Sequence, residues 1–158
     1  GKKFKGNDMT KEVIITIRGL QFIQSEEDME PVEVVTPGEY YKKNGQHYLL
    51  FEEAVEGFEG TTHNVMKFKE DQLEVRKKGL VNVHMVFEEN KKTLSYYQTP
   101  FGVMNMGIAA TNIQVHEGKN NIDLLVNYAL DLNESYVADC TIQMNVKSKE
   151  EGNFRLES

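Results

Sequence analysis

Cysteine and proline are nearly missing from this chain: one Cys and three Pro in 158 residues. Cys140 has no second thiol to join, so no intramolecular disulfide can staple the fold, and a lone thiol fits a reducing cytoplasm. Pro31, Pro37 and Pro100 are all expected at strand ends or turns, where a missing N–H does no harm. Positive charge is short as well. A formal net charge of −7 argues against nucleic acid, whose phosphates need clustered Lys and Arg, and against docking on anionic lipid. No apolar run approaches the ~20 residues of a membrane helix. The opening GKKFKGNDMT is basic and polar and lacks the apolar segment of a signal peptide. Residues 1–9 therefore read as a flexible extension or an expression remnant, 10–148 as one domain and 149–158 as a polar tail.

Motifs for chemistry are equally sparse. No Gly-Lys-Ser/Thr follows Gly102 and Gly107, so there is no phosphate loop, and no G-x-S-x-G elbow occurs. The four histidines, His47, His63, His84 and His116, lie on four different predicted strands without metal-ligand spacing. They read as surface or rim groups. Glu52 and Glu53 are adjacent on a strand, so they point to opposite faces and cannot act as a carboxylate pair. The expectation is no catalytic residue, no metal and no cofactor, and no oligomeric state is assigned.

What is present is period two. IDLLVNYALDL puts Ile122, Leu124, Val126, Tyr128, Leu130 and Leu132 on one face, and YVADCTIQMNV does the same for Tyr136, Ala138, Cys140, Ile142, Met144 and Val146. With NES between them, they form a half-buried antiparallel hairpin. Val81, Val83, Met85 and Phe87 alternate likewise, as do Leu73 with Val75, and Val13, Ile15 and Ile17. Leu20 and Phe22 continue the last stripe only if a β-bulge at Gly19 absorbs one residue. Turn signals recur at KNGQ, EGFEG, KEDQ, EENKK, TPFG and EGKNN. Asn-Gly is the strongest, because tight hairpins demand positive φ. About ten strands joined by short links pair in order, and closure removes the two bare edges that such a meander would leave. The predicted fold is an all-β antiparallel meander closed into a barrel.

TPFG predicts a type I turn with Gly102 as the bulge of a three-residue hairpin. That register sets Gln98 opposite Met104 and Tyr96 opposite Met106. Leu94, Tyr96, Met104, Met106 and Ile108 then face the core, Tyr97 points outward, and Tyr97 covers Gly107 diagonally. EGFEGTTHN reads as a turn between the third and fourth strands, with Phe58 as a possible lid and Thr61 and Thr62 as hydrogen-bonding groups. Arg76 points outward by alternation; turned inward by a bulge, it would meet a ligand carboxylate.

EGTT (Glu59–Thr62), RKKG (Arg76–Gly79), MVFE (Met85–Glu88) and YQTPFG (Tyr97–Gly102) follow one another in an order and spacing that resembles the YwiB-like family of small bacterial proteins. The resemblance runs from about Thr10 to Lys147. It implies a calycin-like barrel, similar in outline to lipocalins and fatty-acid-binding proteins. It implies no catalytic residue, since the family has no assigned activity.

Three functions follow as expectations. The first is a barrel binding a small apolar or amphipathic molecule, with Tyr96, Met104, Met106, Tyr128, Met85 and Arg76 as candidate ligand contacts. The second is an enzyme acting on a small acid, which needs Arg76 and His84 to converge inside the barrel. The third is an interaction module on an outer sheet face, with Ile14 and Ile23 off the main stripe.

Overall fold

The structure, a computed structural model, describes residues 11–19, 33–54, 59–79 and 81–149. It has ten strands: β1 (Lys11–Arg18), β2 (Glu33–Lys43), β3 (Gln46–Ala54), β4 (Thr61–Lys69), β5 (Gln72–Lys78), β6 (Asn82–Glu88), β7 (Lys91–Thr99), β8 (Gly102–Glu117), β9 (Asn121–Leu132) and β10 (Ser135–Ser148). Each pairs antiparallel with its neighbours in chain order, and β1 closes the barrel on β10 from Val13↔Ser148 to Arg18↔Gln143. The expected meander and its closure are both present. The extension 1–9 and the tail beyond Lys149 lie outside the described residues, as do Pro31, Phe58, Leu20, Phe22 and Ile23. Gly19 has the positive φ of a break, 89°, but the continuation that would make it a bulge is not among the described residues.

Period-two stripes become the interior. Val13, Ile15 and Ile17 of β1 meet Met144 and Val146 of β10, which meet Leu124 and Ile122 of β9. Across the barrel, Leu49, Met66, Val75 and Met85 form a continuous cross-strand row. Phe87 fills the centre against Tyr128, ring centroids 4.9 Å apart and nearly perpendicular. Met85, Met106 and Tyr128 belong to this packed core. Each fully buried side chain of this size contributes roughly 1.5–3 kcal/mol. Cys140 is half-buried beside Tyr128, and burial pushes its thiol up, so it is a packing group.

Turn chemistry works locally where expected. Asn44 and Gly45 both have positive φ, 53° and 78°, in the tight link between β2 and β3. Two expectations need correction. Pro37 is not at a strand end: it lies inside β2, opposite Ile14. It is tolerated because that half of β2 has no described partner on its other side; the β2–β3 ladder runs only from Glu39↔Leu50 to Lys43↔Gln46. The second correction is the β7–β8 register. Thr99 pairs with Gly102, Gln98 with Val103 and Tyr96 with Asn105, so the link is the two residues Pro100 and Phe101, and every inward assignment on β7 reverses.

The reason lies in Thr93 and Ser95. The β6–β7 ladder covers only Asn82↔Gln98 to His84↔Tyr96. Beyond it, Ser95 Oγ accepts the Val86 N–H at 3.2 Å and Thr93 Oγ1 donates to the Val86 carbonyl. The two hydroxyls replace the missing ladder bonds and must face that way. Leu94 is left outside, 84 % exposed, and Tyr96 with it, 39 % exposed. Tyr97 instead packs against the core, so the adjacent tyrosines do point apart, but in the opposite sense to that expected. Gly107 is not covered by Tyr97. It faces Leu94 on β7, and it lies beneath the Lys92–Asp131 ion pair, 2.7 Å.

Candidate functional site: the seam between β2 and β3

Three interior stripes change character toward the same end of the barrel. On β3, Leu49 and Phe51 lead to Glu53; on β4, Phe68 and Met66 lead back to Asn64 and Thr62; on β5, Leu73 and Val75 lead to Lys77. Their cross-strand pairings, Glu53↔Thr62 and Asn64↔Lys77, gather the four polar side chains on the inner face. Lys77 Nζ donates to Glu53 Oε1 at 2.9 Å, and Asn64 Nδ2 donates to the same oxygen at 3.2 Å and to the Thr62 carbonyl at 3.4 Å. Burial alone would raise the Glu53 carboxyl, but the bond and charge of Lys77 and the Asn64 amide hold it below its usual value.

Two atoms of this cluster have no hydrogen-bond partner among the described residues: Thr62 Oγ1 and Asn64 Oδ1. Their residues are 2 % and 1 % exposed. A buried polar atom left unsatisfied costs about 1–3 kcal/mol, and native folds keep few of them. Gly79 makes the close packing here possible: a Cβ at this residue would lie 2.9 Å from the Thr62 Cα and 3.1 Å from its Oγ1.

Asn64 also lines an open cavity of about 540 Å³. The cavity forms where β2 and β3 part. Above Glu39↔Leu50 the two strands no longer pair, and Gly38 marks the neck, its bare Cα facing the Leu50 carbonyl and Phe51. Pro37, Leu50, Phe51 and Val65 supply an apolar lining, while Glu12, Glu39, Glu52, His63 and Lys149 form the rim. Lys149 pairs with Glu12 at 3.6 Å and His63 with Glu52 at 3.2 Å.

The residues expected to contact a ligand do not converge here. Met85, Met106 and Tyr128 are packed in the core, Met104 is half-buried beside Tyr97, and Tyr96 lies on the outside, contrary to its expected inward position. Arg76 faces outward, as alternation favours, and pairs with Glu74 at 3.2 Å. It does meet His84, which sits opposite it on β6 and shares Glu74 Oε2 at 2.5 Å. Burial raises the Glu74 carboxyl, but His84, Arg76 and Lys67 together lower it below the usual range. This cluster lies on the outer face, opposite the buried Val75–Met85 row, so a small acid held by Arg76 and His84 inside the barrel has no support.

His47 departs from the rim position expected of the histidines. It is buried at the other end, stacked on Phe68 with centroids 4.8 Å apart and bonded through Nδ1 to the Tyr40 hydroxyl at 2.6 Å. Burial pushes its pKa down, against the pull of Glu117 and with the push of Lys42. A neutral ring accepting the Tyr40 proton satisfies both groups, so this is a structural pair. Among the described residues no three His, Cys, Asp or Glu side chains converge as metal ligands, and no helix is long and apolar enough to cross a membrane.

Comparison with known proteins agrees with the barrel. The uncharacterized beta-barrel protein YwiB of Bacillus subtilis (strain 168) is 25 % identical over 136 residues, covering 85 % of this chain and 94 % of that protein. The crystal structure of the ywiB protein from Bacillus subtilis matches with a TM-score of 0.71 at 19 % identity, over 87 % of this chain and 92 % of that one. The model of a domain of unknown function, DUF1934, matches residues 15–144, which is most of the barrel, and the chain belongs to that family.

Proposed function

We propose that the protein binds a small amphipathic molecule, and that the ligand enters the seam between β2 and β3 and not the centre of the barrel. The observation that carries this reading is the open cavity of about 540 Å³ where β2 and β3 part, bordered by both apolar and polar residues. Ligand sites are commonly about 300–1,000 Å³, mostly apolar, with a few fixed polar groups. The seam has that composition: Pro37, Leu50, Phe51 and Val65 beside one interior amide and a charged rim. The up-and-down closed order of ten strands supports a calycin-like comparison, although calycins hold ligands centrally and this centre is filled by Phe87, Met85 and Tyr128. A free, half-buried Cys140 supports a reducing, cytoplasmic setting.

Native mass spectrometry of protein purified without denaturation tests the reading. The expected result is a non-covalent adduct that is lost in Val65→Lys, which puts a charge on the apolar lining. A bare mass for both proteins, with unchanged unfolding curves on addition of an amphipathic fragment set, would contradict it.

A further inference from the structure

Resting on the reading that the seam holds a small molecule, we propose that this molecule is a short peptide in extended conformation, added as a strand along the free edge of β3. The hydrogen-bonding parity of the β2–β3 hairpin carries the inference. The two strands are joined by Asn44 and Gly45, both at positive φ. In such a two-residue hairpin the flanking residues, Lys43 and Gln46, form a hydrogen-bonded pair, and every second pair beyond them does the same. The bonded pairs are therefore Lys43–Gln46, Tyr41–Tyr48 and Glu39–Leu50, and the next would be Pro37–Glu52. Pro37 has no N–H to give to the Glu52 carbonyl, and the ladder ends there. The Pro37 carbonyl accepts instead from its neighbour's hydroxyl, Thr36 Oγ1, at 3.1 Å.

The same parity leaves β3 with an unused edge. Phe51 and Glu53 turn their backbone groups toward β4, whose ladder continues to Ala54↔Thr61. Glu52 and Ala54 turn theirs toward β2, and neither has a ladder partner on that side among the described residues. Their N–H and C=O groups stand at strand spacing beside the open cavity that Glu52 and Pro37 border. An unpaired edge of this kind recruits an extended chain: main-chain bonds give affinity, and alternate side chains give selectivity. Pro37 blunts β2 as a template, and nothing equivalent blunts β3. Three or four residues, about 10–13 Å of strand, cover the edge. The side chain opposite Glu52 points outward with it, so charge complementarity favours Lys or Arg at that place. Glu52 is exposed and already pairs with His63, so this charge tunes the choice while the backbone bonds carry it.

Three probes separate the possibilities: an acetylated and amidated pentapeptide, Val-Thr-Lys-Thr-Val; the same peptide N-methylated at every residue, which keeps the side chains and offers no main-chain N–H; and 2-phenylethanol. Each is titrated at neutral pH into the isotope-labelled full chain and followed by backbone amide shifts. The plain peptide is expected to shift the Glu52 and Ala54 amides more than those of Phe51 and Glu53, because only the first two face the seam. The methylated peptide is expected to bind about tenfold more weakly or worse. Equal affinity of the two peptides at these residues, or shifts there from 2-phenylethanol alone, overturns the added strand and leaves the seam standing. Shifts at none of them, with any probe, overturn the seam itself.

Discussion

Lys77 and Glu53 form an ion pair on the inner face of the barrel, and each depends on the other. Lys77 keeps 11 % of its side chain in solvent and Glu53 keeps 37 %. Removing one partner strands the second, a loss that reaches several kcal/mol when both are fully buried. Glu53 remains over a third exposed, so water screens it and the expected cost of Lys77→Met is roughly 1 kcal/mol at neutral pH. The folded Glu53 carboxyl lies below its usual value, so its contribution is complete above the ordinary carboxylate pKa and is lost as pH falls through the folded one. Urea unfolding should therefore show the wild type and Lys77→Met apart near neutrality and converging as the pH falls below the ordinary carboxylate range and through the folded Glu53 pKa. A gap that stays constant with pH would mean that Lys77 acts through packing alone. This cluster was legible in principle: the stripes Leu49–Phe51, Met66–Phe68 and Leu73–Val75, continued at period two, arrive at Glu53, Asn64 with Thr62, and Lys77. What hid it is that the continuation is polar, and polar residues are read as outward-facing by default.

At the scale of elements, β7 shows where period two fails. KKTLSYYQT offers Leu94 and Tyr96 as its apolar stripe, yet Thr93, Ser95 and Tyr97 face inward. The decisive interaction is non-local: hydroxyls of Thr93 and Ser95 take up the backbone of Val86, seven and nine residues earlier. No pattern within β7 announces that β6 leaves its ladder early. The register is directly testable. Leu94→Ser should change stability by less than about 0.5 kcal/mol, since the side chain is 84 % exposed. Ser95→Leu should cost roughly 1–3 kcal/mol by overpacking the interior and orphaning the Val86 N–H. The reverse order, with Leu94→Ser the costly change, would restore the register read from TPFG. β9 and β10, by contrast, were plain in the sequence because Ile122–Tyr128 and Ile142–Val146 alternate without a break, and a slip of one residue would expose that face. The expected stripe fails only at the start of β10, where a bulge between Tyr136 and Ala138 leaves Tyr136 62 % exposed and not on the buried face.

For the whole molecule, closure into a barrel follows from short links and alternation, and those are properties of consecutive residues. Where the barrel is imperfect follows from distant ones. The β2–β3 ladder stops because Pro37 carries no N–H and Gly38 lets β2 bend close over Leu50 before it parts from β3. The centre is filled, and the opening that remains is lateral, lined by Leu50, Phe51 and Val65 with Asn64 behind them. Outer apolar residues also differ from expectation: Ile14 is half-buried between β2 and β10, whereas Leu94 and Phe101, 84 % and 95 % exposed, stand out on the β7–β8 hairpin. A crystal structure of the protein purified without denaturation, at a resolution that places water, tests the central claim most directly. The account predicts an ordered molecule in the seam against Leu50, Phe51 and Val65, with the core around Met85, Met106 and Tyr128 solid. A seam sealed by the chain itself, or a ligand enclosed among those three core residues, would contradict it.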